Sequence, residues 1–111
     1  MTLSAKGRIE IYVPDPLDES YTQVLAALEE EFTFNFGGCS VVRGIDGNFL
    51  SDDGAKDRDR INLIYTDMPF TFEENLNSLT LYMNEIRSAV GEALKLEESI
   101  LVAAYPVFHS S

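Results

Sequence analysis

The chain has 111 residues, 45% of them hydrophobic and 11% aromatic, the composition of one globular domain rather than of a disordered segment. Eight Lys and Arg against 19 Asp and Glu give a formal net charge of −11, which repels phosphate backbones and anionic membranes and argues against nucleic-acid or membrane partners. A single cysteine, Cys39, excludes an internal disulfide, and one cysteine with one histidine cannot complete a structural zinc site, so no metal is expected.

No apolar run approaches the ~20 residues of a membrane-spanning helix. Residues 1–7 lack the apolar stretch of a signal peptide, and a cytoplasmic location is expected. Residues 1–6 read as a flexible tail of a single domain covering 1–111. Arg8 to Pro14 alternates as a strand, with Ile9, Ile11 and Val13 on one face and Arg8, Glu10 and Tyr12 on the other. Pro14 and Pro16 end it, because proline cannot continue a ladder. Tyr21, Val24, Leu25, Leu28 and Phe32 then recur at helical period, which predicts a helix over Ser20 to Phe32. Ser20 with Gln23, or else Asp18, caps its start. Glu29, Glu30 and Glu31 crowd its expected C-terminus, where the macrodipole disfavours them.

Gly37-Gly38 leads into a second strand, Ser40 to Ile45. Residues 46–59 hold two turn signals, Asp46-Gly47 and Asp53-Gly54, and read as an extended hairpin with Phe49 and Leu50 on its arms, or as a working loop. These acids do not form a calcium loop, since the closing bidentate Glu is missing. Arg60 to Thr66 is the third strand, with Ile61, Leu63 and Tyr65 on one face and Asn62, Ile64 and Thr66 on the other. Thr71 with Glu74 reads as a capping box for a second helix, Thr71 to Lys95, whose stripe is Leu76, Leu79, Met83, Ile86, Val90 and Ala93. The fourth strand, Ser99 to Phe108, is apolar on both faces, as a strand covered twice or lying in an oligomer interface would be.

The order βαββαβ predicts an α+β, ferredoxin-like sandwich: a four-stranded antiparallel sheet in order 4-1-3-2, with both helices on one face. The central first and third strands are read as parallel neighbours. The uncovered face is then expected to carry Arg8, Glu10, Tyr12, Asn62, Ile64, Thr66, Val41 and Arg43. The fourth strand adds either Leu101, Ala103, Tyr105 and Val107 or Ile100, Val102, Ala104 and Phe108.

Candidate ligand-binding residues follow from that face: Arg8, Glu10, Tyr12, Arg43 and Asn62, with His109 beside Arg8 at one rim, where the two could hold an anion. Tyr12, Tyr65 and Asp67 are expected to converge at the opposite rim. Arg43 is expected to pair with Glu10 or with a carboxylate ligand. Cys39 and His109 do not make a catalytic dyad: they open and close strands on opposite edges, about 14 Å apart at ~4.8 Å per strand, where a dyad needs ~3 Å. No phosphate-cradling glycine loop or nucleophile elbow is present, and no cofactor is expected.

Three segments carry a resemblance: Arg8-Ile-Glu-Ile-Tyr-Val, Phe34-Asn-Phe-Gly-Gly-Cys-Ser-Val-Val-Arg-Gly-Ile-Asp-Gly-Asn-Phe and Asp59-Arg-Ile-Asn-Leu-Ile-Tyr. Together they resemble small bacterial proteins of unknown function with a ferredoxin-like fold of the dimeric α+β barrel type. The resemblance implies the fold and supplies no catalytic motif. Dimeric α+β barrel monooxygenases share that fold, but this chain has no Trp and its one His is near the C-terminus. The leading expectation is a homodimer that binds a small molecule or a protein. The alternatives are a cofactor-free enzyme using Tyr12, Arg43 or His109, and an acidic modulator of a basic protein partner.

Overall fold

The computed structural model describes residues 2–16, 18–50, 53–96 and 100–110. Six elements follow in the expected order: β1 (Leu3–Pro14), α1 (Glu19–Phe36), β2 (Ser40–Leu50), β3 (Lys56–Pro69), α2 (Phe72–Leu94) and β4 (Leu101–Ser110). The sheet order is β2-β3-β1-β4, the expected order read from the other edge. All three strand pairings are antiparallel, so the expectation that β1 and β3 run parallel is wrong. Arg8 lies opposite Asp67 and Tyr12 opposite Leu63.

The strands are longer than their apolar alternation suggested. Residues 3–6, expected as a flexible tail, are part of β1: β4 runs on to Ser110 and gives Leu3 to Lys6 a ladder partner. Residues 46–50 and 56–60 pair with each other beyond the end of β1 at Pro14, so most of the suspected loop is a projecting hairpin. Its turn is braced by Asp53 Oδ1, which accepts from the Ala55 amide at 3.0 Å. Ser99, the expected start of β4, lies outside the described residues.

Both helices form for reasons visible in their ends and stripes. Asp18, in extended backbone, accepts from the Ser20 amide at 2.8 Å and caps α1. Gly37, at φ 88°, closes it by donating its backbone N–H to the Thr33 carbonyl. Since α1 continues to Phe36, the three glutamates sit inside it, and two have partners: Glu29 faces Arg43 at 3.7 Å, and Glu31 accepts from Asn35 at 2.7 Å and from the Tyr82 hydroxyl at 3.0 Å. The expected Thr71–Glu74 box does not form. Asn75 Oδ1 accepts from the Thr71 amide at 3.2 Å instead, and the Thr71 side chain makes no cap bond.

The core lies between the helices and one face of the sheet. Ile9, Ile11 and Val13 of β1 meet Ile64 and Met68 of β3, Val102 of β4, Leu25, Leu28 and Phe32 of α1, and Leu79, Ile86, Val90 and Leu94 of α2. In α2 the stripe shifts toward its C-terminal half: Leu94 is buried, whereas Leu76 and Ala93 are exposed. Two close contacts fix the chain path. Phe70 packs on Gly7, where a β-carbon would meet Phe70 Cβ at 2.8 Å. Gly44 takes φ 71° at a bulge between Val42 and Ile45, directly against the Arg60 guanidinium.

Candidate functional site

Antiparallel pairing decides which side chains share the uncovered face. Residues directly opposite project to the same side, so Ile9 carries Thr66 and Ala104 to the helix side while Arg8 carries Asp67 and Tyr105 to the open side. The open face therefore presents Arg8, Glu10 and Tyr12 of β1, Leu63, Tyr65 and Asp67 of β3, and Leu101, Ala103, Tyr105, Val107 and His109 of β4.

Four of the six expected site residues are there: Arg8, Glu10, Tyr12 and His109. Asn62 is not. It lies on the helix side, 5% exposed, and its Oδ1 accepts from the Gly44 amide at 3.1 Å. A buried amide with its acceptor committed to the bulge is a structural group. Arg43 is likewise on the helix side, beside Glu29, and does not reach Glu10. Ile64, Thr66 and Val41 also move to that side. Ile64 is in the core, Val41 packs on it, and Thr66 Oγ1 donates to the Gly38 carbonyl at 2.6 Å.

Two clusters occupy the open face. In the first, Arg8 grips Asp67 with two parallel bonds, Nε to Oδ1 at 2.6 Å and Nη2 to Oδ2 at 2.8 Å. This fork geometry is the strong form of an ion pair. His109 Nε2 lies 2.8 Å from the same Oδ2. The Arg8 guanidinium also stacks 4.3 Å above the Tyr65 ring, a cation–π contact. The expected rim anion for Arg8 and His109 is thus supplied by Asp67 of the chain itself. Asp67 is not at the opposite rim with Tyr12, because antiparallel strands carry residues 12 and 67 away from each other. The Arg8 bonds hold the Asp67 carboxyl below the usual carboxylate range; partial burial opposes them, and His109 adds to the lowering.

In the second cluster Glu10 is 8% exposed although it belongs to an uncovered face. Tyr12 and Tyr105 shield it. The Tyr12 hydroxyl donates to Oε2 at 2.7 Å, and the Tyr105 hydroxyl donates to Oε1. Those bonds to a carboxylate, followed by burial, push both phenols above their ordinary pKa. Among the described residues no buried side-chain nitrogen or oxygen lacks a partner.

Around this polar centre lie Leu101, 59% exposed, Val42, 43% exposed, and the Tyr105 ring, 37% exposed. Asp67, Tyr65 and Tyr105 thus join the expected residues. Their signal in the sequence was the pairing of Arg8 with Asp67 and Tyr105, which follows once β1 is antiparallel to both neighbours. Cys39 is far from this face. It packs at the core margin between the Glu29 carbonyl and Thr33, and β2 and β4 are opposite edges of the sheet, so no Cys39–His109 dyad forms. No group of three His, Cys, Asp or Glu that could hold a metal occurs among the described residues. No helix among them is long and apolar enough to cross a membrane.

No protein-family model matches the sequence, and no curated protein sequence matches it. Solved structures do resemble it in shape. A divalent cation tolerance protein, Cut A1, from Thermus thermophilus superposes with a TM-score of 0.57 at 17% identity, over 92% of this chain and 84% of that one. CutA1 from Oryza sativa gives 0.53 at 15%, over 96% and 84%. The B. subtilis GlnK–ATP complex gives 0.53 at 9%, over 93% and 82%. Likeness at these identities is likeness of fold: four antiparallel strands and two helices in βαββαβ order make this chain a ferredoxin-like sandwich.

Proposed function

We propose that this protein is a self-associating binding module, a homodimer that buries its open sheet face against a second copy and holds a small organic molecule or a protein partner. The observation that carries the reading is the composition of that face: exposed Leu101, Val42 and Tyr105 around polar groups that already satisfy one another. Such a surface loses little by leaving water, because Arg8, Asp67 and Glu10 at its centre already have partners, and its apolar rim gains by doing so. C2 dimers are the commonest closed assembly, and one self-complementary face suffices for them.

An enzymatic reading has less support. A general acid or base needs a lone pair or proton free to meet substrate. Both Glu10 oxygens are taken by tyrosines, both Asp67 oxygens by Arg8, and Arg43 belongs to the other side of the sheet. A nucleotide such as the ATP bound by the B. subtilis neighbour would have to displace Asp67 to use Arg8.

The test is molar mass by light scattering on a sizing column, for the unaltered protein and for Leu101→Glu. Leu101 is exposed in a single chain, so the substitution leaves the fold intact. A dimeric parent and a monomeric, folded Leu101→Glu support the reading. A monomeric parent, or a variant that stays dimeric, refutes it.

A further inference from the structure

The cleft on the opposite side of the molecule is not used by the open-face reading and does not depend on it. A trough of about 400 Å³ runs between α1 and α2. Its floor is Leu28, Ile86 and Val90, the outer surface of the core, with Val24 at its edge. Ala27, Ala89 and Ala93 form its exposed walls, and alanine lets another backbone come close. Between Tyr82 and Ala93, at ~1.5 Å per residue, it is about 16 Å long, three turns of a helix.

Its charge is as distinctive as its shape. Glu31 and Glu85 stand at the end marked by Tyr82, and both carboxylates act electrostatically on that phenol. Burial first, and then these carboxylates, push the Tyr82 hydroxyl up to about 12. No cation pairs with either glutamate among the described residues. The helical layer around them is acidic on balance. α1 has four carboxylates and no base, α2 four carboxylates and one guanidinium, a net of −7 for the two helices.

We propose that this trough docks a basic amphipathic helix of a protein partner. The apolar floor takes side chains spaced at i, i+3, i+4 and i+7, the alanine walls admit the helix backbone, and Glu31 and Glu85 meet Lys or Arg on its flank. An enclosed small-molecule site would cover most of its ligand, whereas this trough lies open along its walls. A macromolecular segment laid across it fits that openness.

The experiment uses two labelled 14-residue Leu/Lys peptides of identical composition, one with leucines at helical spacing and one permuted so that no apolar face forms. Binding is followed by fluorescence anisotropy at about 0.15 M salt, where exposed charges are screened beyond ~8 Å. The amphipathic peptide is expected to bind at least ~10-fold tighter than the permuted one, the scale of one well-seated apolar anchor. Ala89→Arg, or Ala27→Arg on the facing helix, removes that preference, while Leu101→Glu on the other side of the sheet leaves it unchanged. Equal binding of the two peptides overturns the proposal, as does a preference that survives both arginine variants. A change of molar mass in Ala89→Arg without peptide overturns it in favour of a second copy, and n-octylamine binding where the peptide does not overturns it in favour of a small organic cation.

Discussion

Replacing Asp67 tests whether the open-face network is a fixed part of the fold. Arg8 and Asp67 are 24% and 16% exposed at their side chains, between the surface and buried regimes. Exposed pairs contribute ~0.2–1 kcal/mol, and breaking a buried one costs ~3–5 kcal/mol because a charge is left unpaired. With two parallel bonds to Arg8 and a third contact from His109, Asp67→Ala should destabilise by about 2–3 kcal/mol. In a domain of this size each kcal/mol lowers Tm by ~4 °C, so a fall of about 8–12 °C is expected.

Urea unfolding of Asp67→Ala, Arg8→Ala and the double variant, at fixed protomer concentration, separates the pair from its surroundings. A coupling energy of about 1.5–2 kcal/mol is expected, most of the Asp67→Ala loss. Acid adds an independent readout. The Asp67 pKa is lowered in the folded state, so its stabilisation is complete above the unfolded value of ~3.9 and is lost as pH falls through the folded value. The gap between parent and Asp67→Ala should stand in full at about pH 6 and close only below about pH 4. Coupling under ~0.5 kcal/mol, or a gap that does not close in acid, would refute the account of this cluster.

Further outcomes follow from close contacts and from the tyrosines. Gly7→Ala forces a β-carbon against Phe70 and should cost ~1–3 kcal/mol by urea unfolding; the same substitution made in a Phe70→Ala chain should cost less, because the obstructing ring is gone. Gly44→Ala combines a positive φ with the Arg60 contact and should cost at least ~1–2 kcal/mol in the same assay. In an alkaline titration followed at the phenolate absorbance, Glu10→Gln should bring Tyr12 and Tyr105 back toward ordinary ionisation while leaving Tyr82, whose shift comes first from burial, where it was.

Sequence alone revealed the element order, the strand order and most of the core, because β1 and α1 have unambiguous periods. It failed where two faces look alike. In β3 the sets Ile61, Leu63, Tyr65 and Asn62, Ile64, Thr66 alternate equally well, and the better apolar set was not the buried one. Only pairing resolves it: Ile9 sits opposite Thr66, so the even-numbered set shares the core with Ile9. That one choice of direction misplaced Asn62 and hid Asp67, the carboxylate that joins Arg8 to His109. Arg43 was misplaced for the same reason, since its neighbour Val41 lies opposite Ile64. The hairpin beyond Ile45 was legible in its two turn signals but had a loop as its rival, because its Asp- and Gly-rich residues are held by ladder bonds rather than by an apolar face.

Charge separates the two surfaces available for self-association, and salt distinguishes them. Where β1 and β3 pair with each other, the open face carries Lys6 and Arg8 against Glu10 and Asp67, a balanced set with Arg8 and Asp67 paired to each other. The helical layer carries a net of −7. Two copies meeting through their helices would set like charges against each other, a repulsion that ~1 M salt, with its ~3 Å screening length, largely removes. Two copies meeting through their open faces face no such barrier, and the apolar rim is buried equally well at either ionic strength. Molar mass should therefore be the same at ~0.05 M and ~1 M salt. A protein that is monomeric at low salt and associates only at high salt would move the contact to the helices, and would remove both the open-face dimer and the free trough that a basic helix needs.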